Sequence, residues 1–103
     1  MAVIKFTRDN FDAEALQSKV PVLIDFYADW CGPCRMVSPI VDQIAQEGGA
    51  FKVGKVDVDR SPELAAKYGV MSIPTVMLFE NGDVVDKAVG ARNKSFILQM
   101  LEG

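Results

Sequence analysis

The segment Val20–Ala28 constrains this chain most, because it is apolar on both faces of an extended strand. Val22, Ile24, Phe26 and Ala28 point one way, and Leu23, Asp25 and Tyr27 the other. A strand with two apolar faces belongs in the middle of a sheet covered by helices on each side. It runs straight into Trp30-Cys31-Gly32-Pro33-Cys34, which contains both cysteines of the chain. A helix from Cys34 to Glu47 follows, with Val37, Ile40, Val41 and Ile44 spaced to form its buried face. Pro39 inside it removes one backbone hydrogen bond and is expected to bend it, and Gly48-Gly49 ends it.

The remaining elements alternate around this unit. Val3–Phe6 reads as a first strand, and Thr7 as the cap of a helix through Phe11, Ala15 and Leu16. Phe51–Val58 is a strand. Ser61-Pro62-Glu63 starts a short helix that Gly69 ends. Thr75–Phe79 and Val84–Val89 are strands joined by Glu80-Asn81-Gly82-Asp83, a hairpin turn. Asn93 caps a last helix expected to bury Phe96, Ile97, Met100 and Leu101. Alternating strands and helices imply parallel pairing and the hairpin adds antiparallel strands, so one mixed α/β sheet lies between helices.

With 103 residues there is room for one domain, 1–103, and 50% hydrophobic residues suffice for a core without disulfide staples. The net charge is −3 and the eleven Lys and Arg are scattered, which gives no electrostatic footprint for nucleic acid. The apolar run around Val22–Ala28, interrupted by Asp25, is too short for a membrane span. Met1–Phe6 lacks the features of a signal peptide, so a cytoplasmic location is expected. With two cysteines and no histidine, one chain cannot complete a four-ligand zinc site from Cys and His. No metal and no resident cofactor are expected.

Disulfide exchange needs a thiolate nucleophile, a second thiol to release the mixed disulfide, and access to the first thiol but not the second. Cys31 lies where a strand ends and a helix begins, so unsatisfied N–H groups and the helix dipole favour its thiolate. Cys34, one turn on, is expected to face inward as the resolving thiol. A structural bridge over so short a loop would gain little entropy, which favours redox chemistry for the pair. Asp25 is costly in an apolar strand unless neutral or partnered. It reads either as a proton acceptor for Cys34 or as a solvent-facing residue of an edge strand. Lys55 alternates with Val53 and Asp57 and is placed to pair with Asp25, although spacing alone does not separate it from Lys52. Pro74 at a strand start is either punctuation or the site of a cis peptide.

The run from Val22 through Trp30-Cys31-Gly32-Pro33-Cys34 to Met36 resembles the active-site strand and helix of the thioredoxin family. Tyr68–Thr75 resembles that family's cis-proline loop, and Asn81-Gly82 and Val89-Gly90-Ala91 fit its hairpin and following turn. The resemblance implies a thioredoxin fold, a central mixed five-stranded sheet flanked by four helices, acting as a general protein disulfide reductase. It implies Cys31 as nucleophile, Cys34 as resolving thiol, Asp25 as proton acceptor and Lys55 as the lysine beside that acid. It makes Pro74 the cis proline. Trp30, Gly32, Pro33, Val58, Ser72, Ile73, Pro74, Val89, Gly90 and Ala91 would form the target-binding surface. Implied partners are an NADPH-dependent flavoprotein, thioredoxin reductase, and targets such as ribonucleotide reductase and peroxiredoxins, with the chain itself a monomer. Tyr27 stands where many members carry Trp, and Ser72 where Gly is common.

Overall fold

The computed structural model describes residues 2–103, so Met1, the first residue of the expected domain, lies outside it. Five strands form one sheet in the order β1-β3-β2-β4-β5. They are β1 (Ile4–Lys5), β2 (Val22–Tyr27), β3 (Lys52–Asp57), β4 (Thr75–Glu80) and β5 (Asp83–Val89). β1, β3 and β2 run parallel, while β4 is antiparallel to both β2 and β5. β2 is therefore central, as its two apolar faces require.

Four helical segments cover the sheet: a single π-helical turn (Asp12–Leu16), α1 (Cys34–Glu47), α2 (Pro62–Lys67) and α3 (Lys94–Glu102). They separate two cores. On one face Val37, Val41 and Ile44 of α1 and Ile97 and Met100 of α3 pack on Leu23, Val53 and Val76. On the other, Phe11, Ala15 and Leu64 pack on Val22, Ile24, Phe26, Val56 and Phe79. The alternation along β2 thus sends Leu23 to the first core and Val22, Ile24 and Phe26 to the second.

Local chemistry sets the ends. At the β4–β5 hairpin Asn81 and Gly82 have φ of 54° and 84°, the positive values of a tight twisted turn. The Asn93 side chain accepts the Phe96 N–H and caps α3. α1 runs unbroken through Pro39, whose ring is exposed.

Three expectations need correction. The segment after Thr7 is not a capped α-helix. Thr7 Oγ1 accepts the Asp9 N–H and Asn10 Oδ1 accepts the Thr7 N–H, which closes a turn before the π-helical segment. Ser61 precedes α2 but its side chain makes no capping bond. Phe96 is not buried: it is 44% exposed, with the Arg92 guanidinium 5.2 Å from its ring centroid, while Ile97 and Met100 fill the core and Leu101 is half-buried. The cation–π contact offers the ring a partner at the surface.

Gly54 in β3 is a packing requirement that the sequence does not announce. A Cβ there would lie 2.1 Å from the Phe6 ring, which rests directly on the strand backbone. Gly54→Ala is expected to destabilise the fold by about 2 kcal/mol through overpacking, read as a lower urea midpoint at unchanged slope. A midpoint equal to wild type would show that Phe6 yields without cost.

Candidate active site at the start of helix α1

β2 ends at Tyr27, and a short turn delivers Trp30 and Cys31 to the amino end of α1. The Cys31 N–H donates to the Ala28 carbonyl at 3.2 Å and fixes that turn. α1 begins at Cys34, with Pro33 as its N-cap residue. Cys31 and Cys34 form a disulfide, with Cα atoms 5.3 Å apart. The Cys34 N–H, one of the donors a helix start leaves unsatisfied, points at Cys31 Sγ from 3.2 Å. A thiolate on Cys31 would thus meet both a backbone donor and the positive end of the helix dipole.

Access differs from expectation. Both cysteines are only 3% exposed, because Tyr27, Val58 and Ile73 pack around the disulfide together with Ala28. Cys31 Sγ lies 3.8 Å from the Ile73 carbonyl oxygen. The Ile73–Pro74 peptide is cis, which resolves the choice the sequence left open at Pro74. The Pro74 carbonyl accepts the Gly90 N–H at 2.8 Å, and Thr75 pairs with Val89 across the sheet. Val58 and Ile73 therefore lie against the sulfurs, while Gly90 is bonded to Pro74, the residue after Ile73, and Val89 pairs with Thr75. Ser72, Ala91, Gly32 and Pro33 are exposed.

Trp30 is 69% exposed, and its indole N–H donates to Asp59 Oδ2 at 2.8 Å. Asp57 Oδ1 accepts the N–H groups of Asp59 and Arg60, shaping the loop that brings Asp59 there. Sequence reasoning passes over Asp59, and the Asp57-x-Asp59 turn pattern is its one local sign. It also passes over Met36 and Met71, two exposed methionines.

Asp25 is completely buried in the middle of β2, and neither carboxylate oxygen has a hydrogen-bond partner among the described residues. The edge-strand reading therefore falls. Burial pushes its pKa up to about 7; Lys55 opposes the rise and Asp42 adds to it. Lys55 stands directly opposite Asp25 in the β2–β3 register. Its ammonium does not complete the expected pair, however. It lies 2.9 Å from Asp42 Oδ1 and donates to Ser38 Oγ, both on α1.

A disulfide between Cys31 and Cys34 at a helix start, with a backbone N–H directed at the first sulfur, defines a thiol–disulfide exchange protein. Comparison with known proteins agrees. The family model described as Thioredoxin matches residues 2–103. Thioredoxin 1 of Nostoc sp. is 52% identical over 102 residues, 98% of this chain and 95% of that protein. The thioredoxin of Streptomyces clavuligerus is 47% identical over 93 residues, covering 90% and 87%. That of Pyropia yezoensis is 48% identical over 102 residues, covering 98% and 95%.

The chain belongs to the thioredoxin family, and it is a protein-disulfide oxidoreductase. Such a protein works between a reductase and disulfide-bearing targets. Among the described residues no helix is long and apolar enough to cross a membrane.

The buried acid makes stability depend on pH. Its folded value, about 7, lies above its unfolded value near 3.8, so the unfolded chain loses this proton first as pH rises. Folding is then penalised progressively between those values, by about 4 kcal/mol once both states are ionised. Asp25→Asn is expected to be markedly more stable than wild type in urea at pH 8 and little different at pH 4. An equal difference at both pH values would contradict this assignment.

Proposed function

We propose that the chain is a general protein disulfide reductase that acts as one domain, 1–103, and as a monomer in the cytoplasm. The Cys31 thiolate attacks a target disulfide; one target sulfur leaves and a Cys31–target mixed disulfide forms. The Cys34 thiol passes its proton to the Asp25 carboxylate and attacks Cys31 Sγ. The second target sulfur leaves, and two electrons have moved from the Cys31–Cys34 dithiol to the target. The observation that carries this assignment is the Cys34 N–H directed at Cys31 Sγ from the first turn of α1, a donor placed for negative charge on that sulfur.

The position of Asp25 supports the proton transfer, since it is on the face of β2 that packs against the helix beginning at Cys34. Its value of about 7 suits a group that accepts and returns a proton near neutrality. Lys55 acts on Asp25 through its charge rather than by contact. Targets dock on Trp30, Gly32, Pro33, Val58, Ser72, Ile73, Pro74, Val89, Gly90 and Ala91, with an extended target segment pairing with the Ile73 backbone. Thioredoxin reductase, a flavoprotein, returns the electrons from NADPH. Ribonucleotide reductase and peroxiredoxins are target classes for such a reductant. The chain itself uses no cofactor and no metal.

Cys34→Ser is expected to accumulate a mixed disulfide between Cys31 and a disulfide-bearing substrate protein, seen as a covalent species on non-reducing gels and by intact mass. Cys31→Ser should form none. Rapid turnover by Cys34→Ser would overturn the assigned roles.

A further inference from the structure

Lys55 and Asp25 face each other across adjacent parallel strands, the arrangement in which a direct ion pair would be expected. Asp25 nevertheless has no hydrogen-bond partner among the described residues, while the Lys55 ammonium is held by two groups of α1. Ser38 and Asp42 are four residues apart and so lie on the same side of that helix, one turn from each other. Asp42 is half-exposed and Lys55 largely buried, so this pair spans the boundary between core and solvent.

We propose that Ser38 and Asp42 are positioning residues that draw the Lys55 ammonium onto α1 and away from Asp25, so that Asp25 keeps its affinity for the Cys34 proton. The inference rests on the reading of Asp25 as proton acceptor. If Lys55 paired directly with Asp25, the carboxylate would be stabilised and become a weaker base for the thiol. Asp42 gives Lys55 an alternative anion, and Ser38 an acceptor beside it. Lys55 also lies 5.9 Å from the Tyr27 ring centroid, and that contact is compatible with this placement.

The other groups near the acid do not provide the same hold. On β2, Tyr27 lies on the same face as Asp25, and on β3 Asp57 follows Lys55 on the same face. Asp57 instead takes backbone N–H groups of its own loop and Arg60. α1 contributes Cys34 in addition to Ser38 and Asp42, while β4 and α3 contribute the apolar Val76, Leu78, Ile97 and Met100. Asp42 is thus the anion in contact with the Lys55 ammonium.

The test is a carbon-13 titration of the Asp25 side-chain carboxyl in the oxidised full chain, supported by the pH profile of mixed-disulfide release in the reduced chain. In Asp42→Asn the Asp25 midpoint is expected to fall by about one pH unit, with a smaller fall in Ser38→Ala. Asp42→Glu should restore it. In a Lys55→Met background, Asp42→Asn should move the midpoint less than half as far, because no ammonium remains to be released. An unchanged midpoint in Asp42→Asn overturns the proposal. So does an equal fall in both backgrounds, which would make Asp42 act by its own charge alone. The release profile should move with the midpoint. If the midpoint moves and the profile does not, the placement of Lys55 stands and the role of Asp25 in proton transfer falls.

Discussion

The contact between the Cys34 N–H and Cys31 Sγ depends on the junction where the central strand hands over to α1. The Cys31 N–H bond to the Ala28 carbonyl fixes that turn, and packing on both sides holds the strand and helix that flank it. Val37, Val41 and Ile44 clamp α1 onto Leu23 and Val53, and Phe11, Ala15 and Leu64 close the opposite face of β2. The amino end of the helix is thereby aimed at one sulfur. A helix start always leaves donors without partners; here the fold gives one of them to a redox sulfur.

Asp25 is the counterpart of that junction. A carboxyl in the middle of a sheet with no hydrogen-bond partner among the described residues works against folding wherever it is ionised, and burial is the main reason its value climbs to about 7. The cost is placed on the face shared with α1, where a proton acceptor is useful to Cys34. Lys55 could relieve it but is engaged with Asp42 and Ser38 instead. Strand, helix and acid thus form one unit: the apolar pattern that makes β2 central also makes Asp25 a group that titrates near neutrality.

Much of this is legible in the chain because it is local. Alternation along Val22–Tyr27, the apolar face of α1, the Asn81-Gly82 turn and the Asn93 cap each depend on residues a few positions apart. The site follows from a five-residue motif placed at a strand–helix boundary. What escapes a sequence reading depends on distant segments meeting. The partner of Lys55 lies on another element, and Asp59 reaches Trp30 across 29 positions. Gly54 is needed only because Phe6 lies on it, and Phe96 stays outside the core beside Arg92. The near-complete burial of Cys31 arises the same way, from Ile73 and Val58 closing over the disulfide.

This junction makes the Cys31–Cys34 couple a reductant. The direct measurement is the reduction potential of the pair, equilibrated against defined glutathione buffers and read by alkylation of the free thiols. The potential is expected at or below the cytosolic glutathione poise, about −220 to −260 mV by biochemical extraction. A value near that of a disulfide isomerase, about −180 mV, or higher would contradict it and make the pair an oxidant of thiols instead.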